Sequence, residues 1–142
     1  MSREDVVQLT ERWLAGWNLG SKAFDGDVFL DIFAEGQGAI SVFDNVAGDV
    51  VVLTSAEAYA ATWTPFMAPM TYWSVRLEDL RVTTSGDLAY STFRLVGVDT
   101  RGPDGEPLPF GQYGTHVWRK GPTGWRLLHE HLTAYDRSKE AR

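Results

Sequence analysis

The sequence has no cysteine, which excludes disulfides, thiolate metal ligands and cysteine nucleophiles while leaving the cellular compartment open. It has no apolar run near the roughly 18 residues that a bilayer-spanning helix requires. Positive charge is scarce. Thirteen Lys and Arg stand against nineteen Asp and Glu, for a net charge of −6, so the basic face that a nucleic-acid backbone requires is missing. A Gly-x-Ser-x-Gly nucleophile elbow and a glycine-rich phosphate loop are absent as well. The charged start, Met1-Ser2-Arg3-Glu4-Asp5, runs straight into an amphipathic segment, which argues against a signal peptide. A cytoplasmic protein is expected.

What is present is a large aromatic complement: six Trp, seven Phe and five Tyr, 13% of the chain. That is more than a minimal core needs and points to aromatic-lined surface inside the fold. A length of 142 residues is enough for one domain, 1–142, with its core over about 6–135 and a polar, frayed tail over 136–142. Apolar residues at 44% and charged residues at 23% are ordinary for a globular chain.

Val6, Leu9, Trp13 and Trp17 recur at helical spacing, so a helix is expected over 3–17, with Ser2 and Asp5 offering a capping-box-like start. A second short helix is expected over 26–33 and a strand over 39–44, with Ile40, Val42 and Asp44 on one face. A short apolar run follows over 50–53. Ser55 is placed to cap a helix over 56–67, ended by Pro65 and Pro69. Strands are then expected over 71–83, 87–99, 109–120 and 125–135, joined at Thr84-Ser85-Gly86, around Pro103-Asp104-Gly105, and across Lys120 to Gly124. Helices followed by a long antiparallel meander predict an α+β fold, one curved sheet wrapped around N-terminal helices. Its concave side can keep a cavity at the mouth.

A loop from Lys120 to Gly124 would set His116 opposite Leu128 and Gly114 opposite Glu130. Alternation then groups His116, Trp118, Arg126, Leu128, Glu130 and Leu132 on one face, against Tyr113, Thr115, Val117, Trp125, Leu127, His129 and His131. Both faces are apolar enough to need cover, one by the helices and the other by a second copy of the chain. Asp44 reads equally as a turn cap or a pocket carboxylate. Arg94 reads as an ion-paired surface residue or a pocket cation, and His116 as a hydrogen-bonded wall residue or an acid. His129 and His131 stand at i, i+2 without a third ligand on their face, so no metal site is expected. Trp13, Trp17, Tyr59 and Trp63 read as core at helical spacing, with more polar-tipped aromatic surface than a core requires.

These residues resemble the SnoaL-like, ketosteroid-isomerase-like superfamily, also called the nuclear-transport-factor-2-like fold. The resemblance rests on Ile40-Ser41-Val42-Phe43-Asp44, on Ala58-Tyr59 with Trp63, and on Val117-Trp118-Arg119-Lys120 with Gly124-Trp125-Arg126-Leu127-Leu128-His129-Glu130-His131-Leu132-Thr133. It implies a cone-shaped, cystatin-like α+β barrel. The isomerases' base lies in a Val-Glu-Asp-Pro stretch, which falls on Val42-Phe43-Asp44-Asn45. Their oxyanion-hole Tyr and Asp fall on Trp13 and His116, and a pocket Arg of the kinase association domain falls on Arg94. The comparison turns His116, Trp118 and Glu130 toward the cavity and His129 and His131 outward. The epoxide-hydrolase Arg-x-Asp pair is absent, since Arg94-Leu95-Val96 lacks the Asp.

The resemblance thus implies a cofactor-independent acid–base enzyme of the isomerase, dehydratase or cyclase type, acting on a small hydrophobic carbonyl compound. Asp44 is the expected base and His116 the expected oxyanion donor or acid. Trp13, Trp17, Tyr59, Trp63, Arg94, Trp118 and Glu130 are expected to bind substrate. A homodimer is expected, with no nucleic-acid or membrane partner. The other reading is a non-catalytic ligand-binding or dimerisation module, its cone filled by aromatic residues and Asp44 paired with Arg94.

Overall fold

The structure is a computed structural model and describes residues 2–137. It is an α+β fold: helix α1 (Ser2–Trp17), a 3-10 turn (Gly26–Phe29), strands β1 (Ser41–Asp44) and β2 (Val51–Leu53), helix α2 (Ala56–Met67), then β3 (Tyr72–Ser85), β4 (Leu88–Arg101), β5 (Gly111–Gly121) and β6 (Gly124–Ala134). The six strands form one curved sheet in the order β2-β1-β6-β5-β4-β3. β1 runs parallel to β6, and every other pairing is antiparallel. The last five residues of the tail lie outside the described residues, as does the side chain of Ser2 and its expected capping contact.

Both long helices follow from local chemistry. Val6, Thr10, Trp13 and Trp17 are buried on α1, steps of four and three that keep one stripe on the sheet. Ser55 caps α2 by accepting from the Ala58 N–H at 3.1 Å. The expectation that Pro65 would help stop α2 is corrected, because the helix runs on to Met67 with Pro65 inside it. The expected second helix is only one 3-10 turn. Beyond it the chain is captured by β6: Leu127 N–H donates to Ile32 O and Ala34 N–H to Leu127 O, and those ladder bonds replace further helical ones.

The strand joints also tighten. β3 and β4 turn through Gly86 and Asp87, with Ser85 opposite Leu88 and Gly86 at φ +61°. Glycine adopts that left-handed conformation without steric cost. β5 and β6 pair up to Gly121 and Gly124, and a bulge in β6 leaves Leu128 unpaired between Val117–His129 and Trp118–Leu127. The bulge resets the alternation. Trp125 and Leu127, expected outside, are buried inside, while Arg126 and Leu128 leave the inner face. Beyond the bulge His116 lies opposite Glu130 and Gly114 opposite Leu132.

The core occupies the concave side of the sheet, where Val42, Val75, Phe93, Leu95, Trp118, Leu127 and Leu132 meet Trp13, Phe29, Phe33, Tyr59 and Trp63 from the helical segments.

Candidate functional site

Asp44 ends β1 and points into the cone. Its residue is 5% exposed. Oδ1 accepts the Val46 N–H at 2.9 Å, an Asx-type turn, and also the Gln112 side-chain N–H at 2.9 Å. The turn-cap and pocket readings of Asp44 are therefore both realised. Oδ2 is bound by no group among the described residues. Burial pushes the Asp44 carboxyl up to about 7, and the charge of nearby Glu130 adds to this, against the two donors on Oδ1. A buried carboxyl with no cationic partner is uncommon.

The cavity beside Asp44 holds about 30 Å³, and about 350 Å³ when the mouth open to solvent is included. The inner part has room for about two waters or a ligand group of a few atoms. Its walls are Trp17, Val46, Trp63, Phe66, Met67, Trp73, Leu95, Phe110 and Leu132, with Asp44 and Gln112 as the polar residues among those described. The Trp63 Nε1–H has no acceptor among the described residues. Trp63 meets Phe66 edge-on at 5.4 Å, and Trp73 packs on Phe110 at 5.0 Å.

Behind this wall lies a second polar constellation. Trp17 Nε1–H donates to Tyr59 Oη at 3.1 Å, Tyr59 Oη–H donates to Glu130 Oε2 at 2.9 Å, and Glu130 Oε1 lies 3.0 Å from His116 Nε2. Tyr59, His116 and Glu130 are fully buried. Burial first, and then the Glu130 carboxylate, push the Tyr59 phenol well above its ordinary value. Trp13 stands edge-on to the His116 ring at 4.7 Å, with Phe93 at 4.8 Å and Trp118 at 5.7 Å. His116 Nδ1 has no partner among the described residues.

Of the nine residues expected at the site, Asp44, Trp17 and Trp63 line the cavity. Tyr59 and Glu130 join it indirectly, because Trp17 bonds to Tyr59 and Tyr59 to Glu130. His116, Trp13 and Trp118 face inward but sit deeper, in the aromatic cluster. Arg94 requires a correction. Its neighbours Phe93 and Leu95 take the inner positions on β4, so alternation turns it outward. There it binds Glu78 at 2.5 Å, Asp79 at 3.3 Å and the Tyr135 hydroxyl at 3.2 Å, and it does not pair with Asp44.

Gln112 was missed by the sequence reading, although the signal was there. Continuing the alternation of Trp118 and His116 back along β5 reaches Gly114 and then Gln112. One further step of the same alternation reaches Phe110, whereas Trp73 carried no comparable signal, because the start of β3 meets Phe110 only in the folded sheet. His129 and His131 lie on the outer face; His129 Nδ1 is 2.7 Å from Ser41 Oγ, and Phe43 meets both rings edge-on. Among the described residues no cluster of three metal-ligating side chains occurs, and no helix is long and apolar enough to cross a membrane.

Residues 21–136 match the family model described as a SnoaL-like domain. Solved structures share the architecture. An uncharacterized protein with a cystatin-like fold from Caulobacter vibrioides is 18% identical with a TM-score of 0.74, over 96% of this chain and 92% of that one. A candidate dehydratase of the NTF2-like family from Streptomyces avermitilis is 20% identical with a TM-score of 0.73, over 94% and 96%. An NTF2-like protein of unknown function from Pseudomonas putida KT2440 is 24% identical with a TM-score of 0.72, over 99% and 92%. No curated protein matches the chain.

Proposed function

The chain belongs to the SnoaL-like domain family, and from that premise we propose that it is a cofactor-independent acid–base enzyme whose base is Asp44. Its substrate is a small, uncharged, largely apolar carbonyl compound, and its reaction is an isomerisation, dehydration or aldol-type cyclisation. The observation that carries this reading is the divided carboxyl of Asp44. Two donors hold Oδ1, and Oδ2 is left at the wall of an apolar cavity. With a pKa of about 7, the group is populated in both forms near neutrality. It can take a proton from carbon as carboxylate and return it as acid.

Among the described residues the wall carries no Lys or Arg, so these walls offer an anionic substrate no counter-charge. His116 does not line the cavity and the Trp63 N–H is buried, so this proposal rests on Asp44 alone and gives the oxyanion role expected for His116 to no other group. The test is Asp44-dependent exchange of the α-protons of small cyclic ketones such as cyclopentanone in D₂O, followed by NMR. Saturable exchange that falls at least ~100-fold in Asp44→Asn is expected. Equal exchange by the folded variant, or none by the wild type, overturns the reading.

The small inner cavity and the burial of His116 also favour a second reading, a ligand-binding module without turnover. Saturable binding of the same ketones with no proton exchange would select it.

A second copy of the chain is proposed to cover the outer sheet face, where Phe43, His129 and His131 form an aromatic patch and Tyr90 and Tyr113 are 51% and 56% exposed. Gel filtration at two dilutions should give about twice the monomer mass of 15.8 kDa. A monomer at both dilutions overturns it.

A further inference from the structure

Glu130 sits where a carboxyl group is costly to keep. It is fully buried, and both oxygens are engaged, Oε2 by the Tyr59 hydroxyl at 2.9 Å and Oε1 by His116 Nε2 at 3.0 Å. The Tyr59 oxygen is itself oriented by the Trp17 N–H at 3.1 Å. Four elements converge on this one group: α1 through Trp17, α2 through Tyr59, β5 through His116 and β6 through Glu130 itself. Such a network could be retained merely because it is satisfied. Its place in the sheet suggests more.

β1 and β6 are parallel neighbours, with Val42 opposite Glu130 and Asp44 opposite Leu132. Asp44 and Glu130 therefore point to the same side, one strand and two residues apart, about 8 Å between backbone positions. Trp17, which bonds to the Tyr59 of this network, and Leu132, opposite Asp44, also line the Asp44 cavity, and Glu130 is itself fully buried. The field of a charge in this position is poorly screened.

We propose that Glu130 is a positioning residue whose buried carboxylate, held between Tyr59 and His116, raises the proton affinity of Asp44 beyond what burial alone gives it. The inference rests on Asp44 being the base of the proposed reaction. The groups that face Glu130 are Tyr59 on α2, His116 on β5 and Asp44 on β1; Asp44 in turn faces Gln112 on β5. Removing the negative charge at Glu130 lowers the affinity of Asp44 for its proton, and restoring it raises the affinity again. The direction also agrees with the burial of Asp44, whose elevated value has Glu130 among its causes.

The experiment is the titration of the Asp44 side-chain carboxyl by ¹³C NMR in the full chain labelled at aspartate, assigned by its loss in Asp44→Asn. It needs no substrate. Glu130→Gln, which keeps the shape and both hydrogen-bond positions, should lower the midpoint by about one pH unit, and Glu130→Asp should return it toward the wild-type value. An unmoved midpoint in Glu130→Gln, or a Glu130→Asp midpoint as low as that of Glu130→Gln, overturns the proposal. If Glu130→Gln does not fold, Glu130→Met, which also removes the charge while filling a similar volume, decides the matter: it should lower the midpoint as Glu130→Gln would, and an unmoved midpoint overturns the inference. Ketone exchange that survives in Asp44→Asn would defeat the enzymatic reading while leaving the titration result intact, so the two failures are separable.

Discussion

The Gln112 amide donates a 2.9 Å hydrogen bond to Asp44 Oδ1 from two strands away, β5 to β1 with β6 between them. That contact joins the two polar residues of the cavity wall and leaves the other carboxyl oxygen without a partner among the described residues. It also stabilises the ionised form of Asp44, against the burial that opposes it. Several measurable consequences depend on this arrangement.

Asp44 should make the protein less stable as pH rises. Its folded pKa of about 7 lies above the ordinary 3.8, so between those values the folded state binds more protons than the unfolded state. Stability then falls with pH by up to about 1.4 kcal/mol per unit, roughly 4 kcal/mol across the window. Asp44→Asn should lack this dependence. Urea unfolding of both proteins at pH 4.5, 6 and 8 should show the variant gaining on the wild type as pH increases; parallel profiles would refute the buried, proton-binding carboxyl.

Gln112→Leu should push Asp44 further up, because a donor to the carboxylate is lost. The cost in stability should appear at pH 8, at about 1–3 kcal/mol, and shrink at pH 5, where the carboxyl is protonated. Denaturant midpoints at the two pH values check this, and a loss independent of pH would point to packing instead.

Tyr59→Phe removes one oxygen and strands two partners, Trp17 Nε1–H and Glu130 Oε2. Leaving two buried polar groups unsatisfied should cost about 2–4 kcal/mol. A loss under 0.5 kcal/mol in chemical denaturation would mean the chain from Trp17 to Glu130 is not a coupled unit.

Gly114→Ala should strain the floor of the cone. A methyl group there would lie 2.4 Å from the Phe93 ring and 2.8 Å from Leu132 Cδ2. Overpacking of this kind costs about 1–3 kcal/mol. Phe93 packs against the His116 ring, so the His116 ring signals should shift in NMR as well. Adding Phe93→Leu should recover part of the stability, since the two sites are in contact.

Much of this molecule is legible in local chemistry. The Ser55 cap and the apolar spacing through Tyr59 and Trp63 place α2 at 56–67, as found, because a helix cap and its periodicity act over a few residues. The strands of the meander follow in the same way from alternation and turn residues, and Asp44 at the end of β1 is visible as a polar group closing an apolar strand. Alternation also makes His116 and Glu130 share a face.

Which face is inside, and how far along it each group reaches, was decided only by assembly. Alternation has a phase, and a single unpaired residue such as Leu128 inverts it for the rest of the strand, which is how Trp125 and Leu127 turn inward. Alternation puts Arg94 on the face opposite Phe93 and Leu95, but only the pairing of β3 with β4 brings Glu78 and Asp79 to meet it there. Ile32 leaves its helix because Leu127, nearly a hundred residues on, supplies the competing hydrogen bond. The composition of the cone was written locally; its depth, and the distance that keeps His116 from the cavity beside Asp44, depend on partners remote in the chain.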